Sequence, residues 1–173
     1  MACSKVSLRA FNPVANNVKA YVTTCGEGGD SPYGGFNLAL HVGDEPAAVF
    51  ANRQTLEDTL SAPVVFMDQT HSKEVMAVSS RAERDYPCDG LVTAASGLYV
   101  AVMTADCLPL LIYDCDSEGR SHCVAAVHCG WRGLQRGIVA EAVAKLRVLS
   151  PRPLYALRGP FITRDSYEVD DRV

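Results

Sequence analysis

Two short apolar runs, Leu98-Tyr99-Val100-Ala101-Val102-Met103 and Leu110-Leu111-Ile112-Tyr113, flank the stretch Thr104-Ala105-Asp106-Cys107-Leu108-Pro109. This interrupted pattern limits the fold more than any other feature of the chain. Runs of that length between turn residues read as buried strands. Pro109 has no N–H to give to a sheet ladder, so the sequence predicts a break or bulge in the strand beside Cys107. Such interruptions occur where a side chain must be aimed, although a free cysteine there can equally be a small buried hydrophobe.

Apolar spacing sets the other elements. Residues 18–24 read as a strand, followed by the glycine-rich Cys25-Gly26-Glu27-Gly28-Gly29-Asp30-Ser31-Pro32. That loop has neither the Gly-Lys-Ser/Thr ending of a phosphate cradle nor GxGxxG spacing. Asp44-Glu45-Pro46 opens a helix with a capping oxygen, a carboxylate near the positive end of the dipole and proline in the first turn. Val49, Arg53, Leu56 and Leu60 give that helix one inward face, on which Arg53 is either a buried arginine or an aliphatic stem reaching to water. Strands are expected over 63–67, 75–78, 91–93 and 123–128, with Asp89-Gly90 as a turn signal before the third. One helix follows Gly130-Trp131-Arg132-Gly133, its stripe formed by Leu134, Ile138, Ala142 and Leu146, and residues 154–157 form a last strand. Strands and helices neither alternate as βαβ units nor segregate. The expectation is one mixed-sheet α+β domain over residues 1–173.

A chain of 173 residues with 48% apolar and 21% charged residues can bury a substantial core. Sixteen basic against twenty acidic residues, a net charge of −4, offer no cationic face for nucleic acid or an anionic membrane. No run approaches the ~18 apolar residues of a membrane span. The opening Met1-Ala2-Cys3-Ser4-Lys5-Val6-Ser7 lacks the apolar core of a signal peptide, so a cytoplasmic address is expected. Seven cysteines, an odd number without a Cys-x-x-Cys pair, read as reduced thiols and not as a disulfide framework or zinc ribbon.

His71, Cys107 and His128 each fall at the end of an expected strand or at a break in one. They stand 36 and 21 residues apart (107 − 71 and 128 − 107), too far for a local finger but within reach of one another on neighbouring strands. Two imidazoles and a thiolate suit zinc and leave a fourth position open. The same residues equally suit a Cys–His nucleophile pair, or unrelated core positions.

Five motifs occur in order: Asn37-Leu38-x-x-His41-Val42-Gly43-Asp44 with Asn52-Arg53, Gln69-Thr70-His71, Asp89-Gly90-Leu91-Val92-Thr93, Thr104-Ala105-Asp106-Cys107-Leu108-Pro109, and Ala126-Val127-His128-Cys129-Gly130-Trp131-Arg132-Gly133. Together, over residues 18–173, they strongly resemble the YfiH family of laccase-domain or polyphenol oxidase proteins, related to human FAMIN. The resemblance implies a mixed α+β fold, shared with a toxin domain of the cytotoxic-necrotising-factor type. It implies a zinc ion held by His71, Cys107 and His128. It also implies a purine nucleoside enzyme that phosphorolyses adenosine, inosine and methylthioadenosine and deaminates adenosine, with nucleoside and phosphate as its small-molecule partners. Copper, which the laccase label implies, suits this chain less well, since four histidines are few for a multi-copper oxidase.

Against that reaction, Arg132 is the expected phosphate-holding cation, Asn37 and Arg53 are expected substrate contacts, and Asp106 is an acid/base group or an orienter of a histidine ligand. Two departures stand out. The family has Thr-Thr-Arg where this chain has Thr23-Thr24-Cys25, and its members continue beyond the closing Tyr167-Glu168-Val169-Asp170-Asp171-Arg172-Val173. The chain then reads as a fragment, a naturally short member or one completed by another subunit, which keeps a homo-oligomer among the expectations. The rival readings are a cysteine hydrolase using Cys107 with a histidine base, and a degenerate, non-catalytic binding protein.

Overall fold

The short apolar runs become short strands in the computed structural model, which describes residues 6–24, 33–81 and 84–168. In chain order the elements are β1 (Ser7–Ala10), β2 (Tyr21–Thr24), α1 (Pro46–Leu60), β3 (Val64–Val65), β4 (Val75–Ala77), β5 (Gly90–Thr93), β6 (Tyr99–Val100), β7 (Leu108–Asp114), β8 (Val124–Cys129), α2 (Trp131–Gln135), α3 (Ile138–Leu149) and β9 (Leu154–Arg158). β4, β5, β8, β7 and β9 form, in that order, a five-stranded sheet in which β4 and β5 are parallel and the other pairs antiparallel. β1 pairs with β2, and β3 with β6, as separate two-stranded units. The architecture is α+β with mixed strand directions, as expected. The glycine-rich loop and Cys25 lie outside the described residues.

β5 is buried at all four positions because both of its faces are covered, which is why its sequence shows no polar alternation. On one face α3 lays Ile138, Ala142 and Leu146 against Val75, Val92 and Val127. Leu91 faces the other way, into a cluster with Val65, Met67, Val78 and Cys88. Each fully buried leucine or isoleucine contributes about 1.5–3 kcal/mol from apolar transfer. Gly90 permits the close approach of β4: a methyl there would lie 2.9 Å from Val75 Cγ2.

Several local expectations change. The runs around Cys107 are not one interrupted strand; β6 and β7 belong to different sheets, and the segment bearing Cys107 links them. Pro109 sits inside β7, opposite His128. Its carbonyl accepts from Gly159 N at 2.9 Å, so its missing donor also faces the β9 side, where the ladder has already ended at Leu110↔Arg158. The single helix after Gly130 is two, since Gly137 adopts the left-handed conformation (φ 88) and turns the chain between α2 and α3. Leu134 therefore leaves the stripe and is 46% exposed. At the start of α1, Pro46 is the first residue as predicted, but no side chain caps the helix; Asp44 Oδ1 instead accepts from Glu45 N at 2.8 Å.

The reading of Asp89-Gly90 as a turn is corrected as well. Gly90 is the first residue of β5 and Asp89 is completely buried. A second completely buried carboxylate, Asp114, closes the hairpin between β7 and β8: its Oδ1 accepts from Ser121 Oγ, His122 N and Cys123 N, and its Oδ2 from Ser150 Oγ. Burial alone would raise the Asp114 pKa, but these donors outweigh it and hold the carboxyl down at about 2.

Candidate active site and metal centre

The last turns of three unconnected segments meet at one point. His128 is on β8, three residues before the start of α2; Cys107 immediately precedes β7; His71 lies in the loop between β3 and β4. One ligand atom from each lies within 4.8 Å of the other two, and Cys107 Sγ is 3.9 Å from His71 Nε2. The two imidazoles meet edge to face, with ring centroids 4.7 Å apart. The backbone is strained on either side: His71 has φ 60 and Asp106 has φ 87, values in the left-handed region that non-glycine residues seldom adopt.

Two side-chain clasps hold these segments. Asp89 Oδ1 accepts from His71 N at 3.0 Å and lies 2.7 Å from His128 Nδ1. Asp89 Oδ2 accepts from Thr70 N, Ser72 N and Ser72 Oγ at 3.2, 2.7 and 2.7 Å. His128 N also donates to the Asp89 carbonyl at 2.7 Å. Gln69 makes the second clasp, its amide donating to Met103 O at 2.7 Å and accepting from Met103 N at 2.8 Å, which ties the His71 loop to the segment leading to Cys107. In the sequence Gln69 and Asp89 each stand in a family-like motif without an assigned role, and Asp89 carries in addition a turn signal. A carboxylate followed by glycine before an apolar run carries the same local signal in both settings, so only the tertiary pairing of β5 with β8 distinguishes them.

Electrostatics favour the uncharged forms of His71 and Cys107. Burial, then His128, lowers the His71 pKa, with Asp89 opposing and Arg132 adding to the decrease. Burial, then the Asp106 and Asp89 carboxylates, raises the Cys107 pKa. Burial pushes the Cys88, Cys123 and Cys129 thiols up to about 11, so these are inert core residues. All five described cysteines are free.

The donor set fits a single metal ion. Bonds of about 2.0 Å to nitrogen and about 2.3 Å to sulfur at a tetrahedral angle put donors roughly 3.3–3.6 Å apart, inside the 3.9 Å between Cys107 Sγ and His71 Nε2 and the 4.8 Å that bounds all three, so the donors would draw in slightly around an ion. His128 Nδ1 is engaged by a carboxylate, which leaves Nε2 available as a donor atom, the arrangement usual for a histidine that binds a metal.

The trio lies on the wall of a cleft of about 1280 Å³ that Asn37 and His41 also line. Asn37 spends its side chain locally, donating to Asp44 Oδ2 and Ala39 O and accepting from Ala39 N. Arg53 stands apart from this cleft. It forms a two-pronged pair with Asp85 at 2.7 and 2.8 Å, donates from Nε to Leu38 O at 2.8 Å, and stacks 4.0 Å above Phe66. It is a buried arginine, not a snorkelling one, and these contacts account for its position. Arg132 is exposed, with its guanidinium 5.0 Å from the Trp131 ring centre, near enough for its charge to act on His71. α2 has five residues, so Arg132 cannot lean on a helix N-terminus for anion binding. Asp106 is exposed beside Cys107, and its carbonyl accepts from Ile162 N.

Residues 19–173 match the family described as multi-copper polyphenol oxidoreductase laccase. The chain belongs to this family. Relatives named purine nucleoside phosphorylase include one from Mycobacterium tuberculosis, 44% identical over 156 residues (86% of this chain, 61% of that protein). Others are from Corynebacterium glutamicum, 38% identical over 161 residues (88% and 64%), and Pseudomonas aeruginosa, 38% over 162 residues (93% and 64%). The chain thus spans less than two thirds of the length of these laccase-family relatives. Among solved structures, Neisseria meningitidis protein NMB0706 of family DUF152 superposes with a TM-score of 0.82 at 35% identity, covering 95% of this chain and 67% of that one. YlmD from Geobacillus stearothermophilus gives 0.80 at 29% identity, covering 99% and 70%. No helix among the described residues is long and apolar enough to cross a membrane.

Proposed function

We propose that the chain phosphorolyses purine nucleosides at the His71–Cys107–His128 site with zinc as its resident metal, and that the same site deaminates adenosine. The observation that carries this reading is a His-Cys-His cluster that could hold one ion on the wall of a cleft, in a chain whose relatives are named purine nucleoside phosphorylases. Zinc held there would supply a Lewis acid and a bound water of lowered pKa, the requirement for hydrolytic removal of an amino group.

The rest falls to the chain's own residues. In phosphorolysis a phosphate oxygen bonds to the ribose carbon as the bond to the base breaks, and the electron pair leaves with the base, which then takes up a proton. Arg132, whose charge acts at His71, holds the phosphate. Asp106, exposed beside Cys107, is the candidate acid/base group or the orienter of a histidine ligand. Asn37, on the cleft wall, positions substrate through the loop it braces. Arg53 takes no part, being committed to Asp85 and Phe66. A cysteine nucleophile is disfavoured because burial and two carboxylates keep the Cys107 thiol protonated, the opposite of activation.

The test measures base release and ammonia release separately, with adenosine or inosine and phosphate, in wild type, Arg132→Ala, Arg132→Lys and Cys107→Ala. Base release is expected to depend on phosphate and to fall in all three variants, with lysine failing to restore it fully because a point charge cannot reproduce a two-pronged contact. Ammonia release should fall more in Cys107→Ala than in Arg132→Ala. Phenol oxidation without base release, or activity indifferent to all three substitutions, would sink the proposal.

A further inference from the structure

We infer that Asp89 is the positioning residue of the site, fixing His128 in the tautomer that carries its proton on Nδ1 and, with the same carboxylate, setting the loop that presents His71. The inference rests on the metal-site reading above, but its first readout does not depend on it. Asp89 is completely buried and takes six hydrogen bonds: five through its carboxylate and one through its carbonyl. Thr70, His71 and Ser72 contribute three consecutive backbone N–H groups, so the loop bearing His71 is wrapped around the group that faces His128. An acceptor-only carboxylate 2.7 Å from His128 Nδ1 requires the proton to be on that nitrogen, which leaves the Nε2 lone pair free for a ligand. Both histidines therefore take their placement from one pair of oxygens.

The substitution Asp89→Asn separates this role from simple packing. Oδ2 faces three donors (Thr70 N, Ser72 N and Ser72 Oγ), whereas Oδ1 faces one backbone N–H and the His128 ring. The new amide must therefore keep its oxygen on the Oδ2 side and turn its NH2 toward His128. His128 Nδ1 then becomes an acceptor, its proton moves to Nε2, and the ligand lone pair is lost although the shape of the site is preserved.

The experiment uses the full chain, ¹⁵N-labelled at histidine. Nitrogen chemical shifts of the metal-free protein report the His128 tautomer, and competition with a chelator reports Zn²⁺ affinity. Wild type is expected to show the Nδ1–H form; Asp89→Asn should show Nε2–H and bind Zn²⁺ roughly 10–100-fold more weakly. Asp114→Asn, at the other buried carboxylate, is the control and should change neither. An Nε2–H tautomer in wild type overturns the inference without any variant having to fold, as does a Zn²⁺ affinity unchanged in folded Asp89→Asn. Wild type that shows the Nδ1–H form and binds no Zn²⁺ would overturn the metal reading while leaving the tautomer assignment standing.

Discussion

Gly130 and His71 are packed so closely that a methyl group on the glycine would lie 2.8 Å from His71 Cδ2. The same methyl would be 3.4 Å from Cys107 Sγ and 3.5 Å from His128 Cε1, so one absent side chain makes the room in which all three donors converge. The glycine's own backbone is ordinary (φ −70, ψ 159), and the position therefore requires space and not conformational freedom.

Gly130→Ala is accordingly expected to fold, at a cost of about 1–3 kcal/mol from overpacking, and to weaken Zn²⁺ binding by roughly tenfold or more. Thermal unfolding and chelator competition check the two parts separately. Wild-type affinity in the variant would show that His71 swings aside without loss.

Purified protein should hold about one zinc per chain, and His71→Ala, Cys107→Ala and His128→Ala should each lower occupancy strongly, because one lost ligand of three removes a large part of the binding free energy. Elemental analysis of each variant decides this. Full retention in Cys107→Ala would remove the thiolate from the ligand set.

Arg53→Ala should destabilise the fold by about 3–5 kcal/mol through the stranded Asp85 carboxylate and the empty face of Phe66, without changing Zn²⁺ affinity. Arg53→Lys should recover only part of that stability, since an ammonium cannot reproduce the two-pronged pair. Urea unfolding provides the measurement, and an undamaged fold with lost nucleoside binding would return Arg53 to the substrate.

The Asp114 carboxyl, held at about 2 in the folded chain against 3.8 ordinarily, contributes stability that is complete above roughly pH 5 and is lost as the pH falls through 2. About 2 kcal/mol is at stake. Unfolding free energies at pH 6 and pH 3 should therefore converge for Asp114→Asn relative to wild type. A pH dependence unchanged by the substitution would show that the carboxyl titrates normally.

Much of this fold is legible in the amino-acid sequence, because the inward residues of α1 and α3 and the strands β5, β7 and β8 carry their burial in their apolar spacing. His71, Cys107 and His128 were legible for a related reason: ligand-type side chains stood where apolar runs ended. What holds them was not, since the bonds from Asp89 to His128 and from Gln69 to Met103 join positions 39 and 34 apart. The break at Gly137 was hidden as well, because Leu134 keeps helical phase with Ile138 in the sequence even though a left-handed residue turns it out to solvent.

The three donors belong to segments that meet only once β7 and β8 have paired and Asp89 has drawn in the His71 loop. A single ion held at that point would act as a three-way cross-link, closing chain loops of 36 and 21 residues (107 − 71 and 128 − 107) at once. The unfolded chain offers no such preformed site, so binding and folding would share one equilibrium, and an ion at a hundred times its dissociation constant would add about 2.7 kcal/mol to the native state. Metal supply would then set how long the protein survives as well as what it can do.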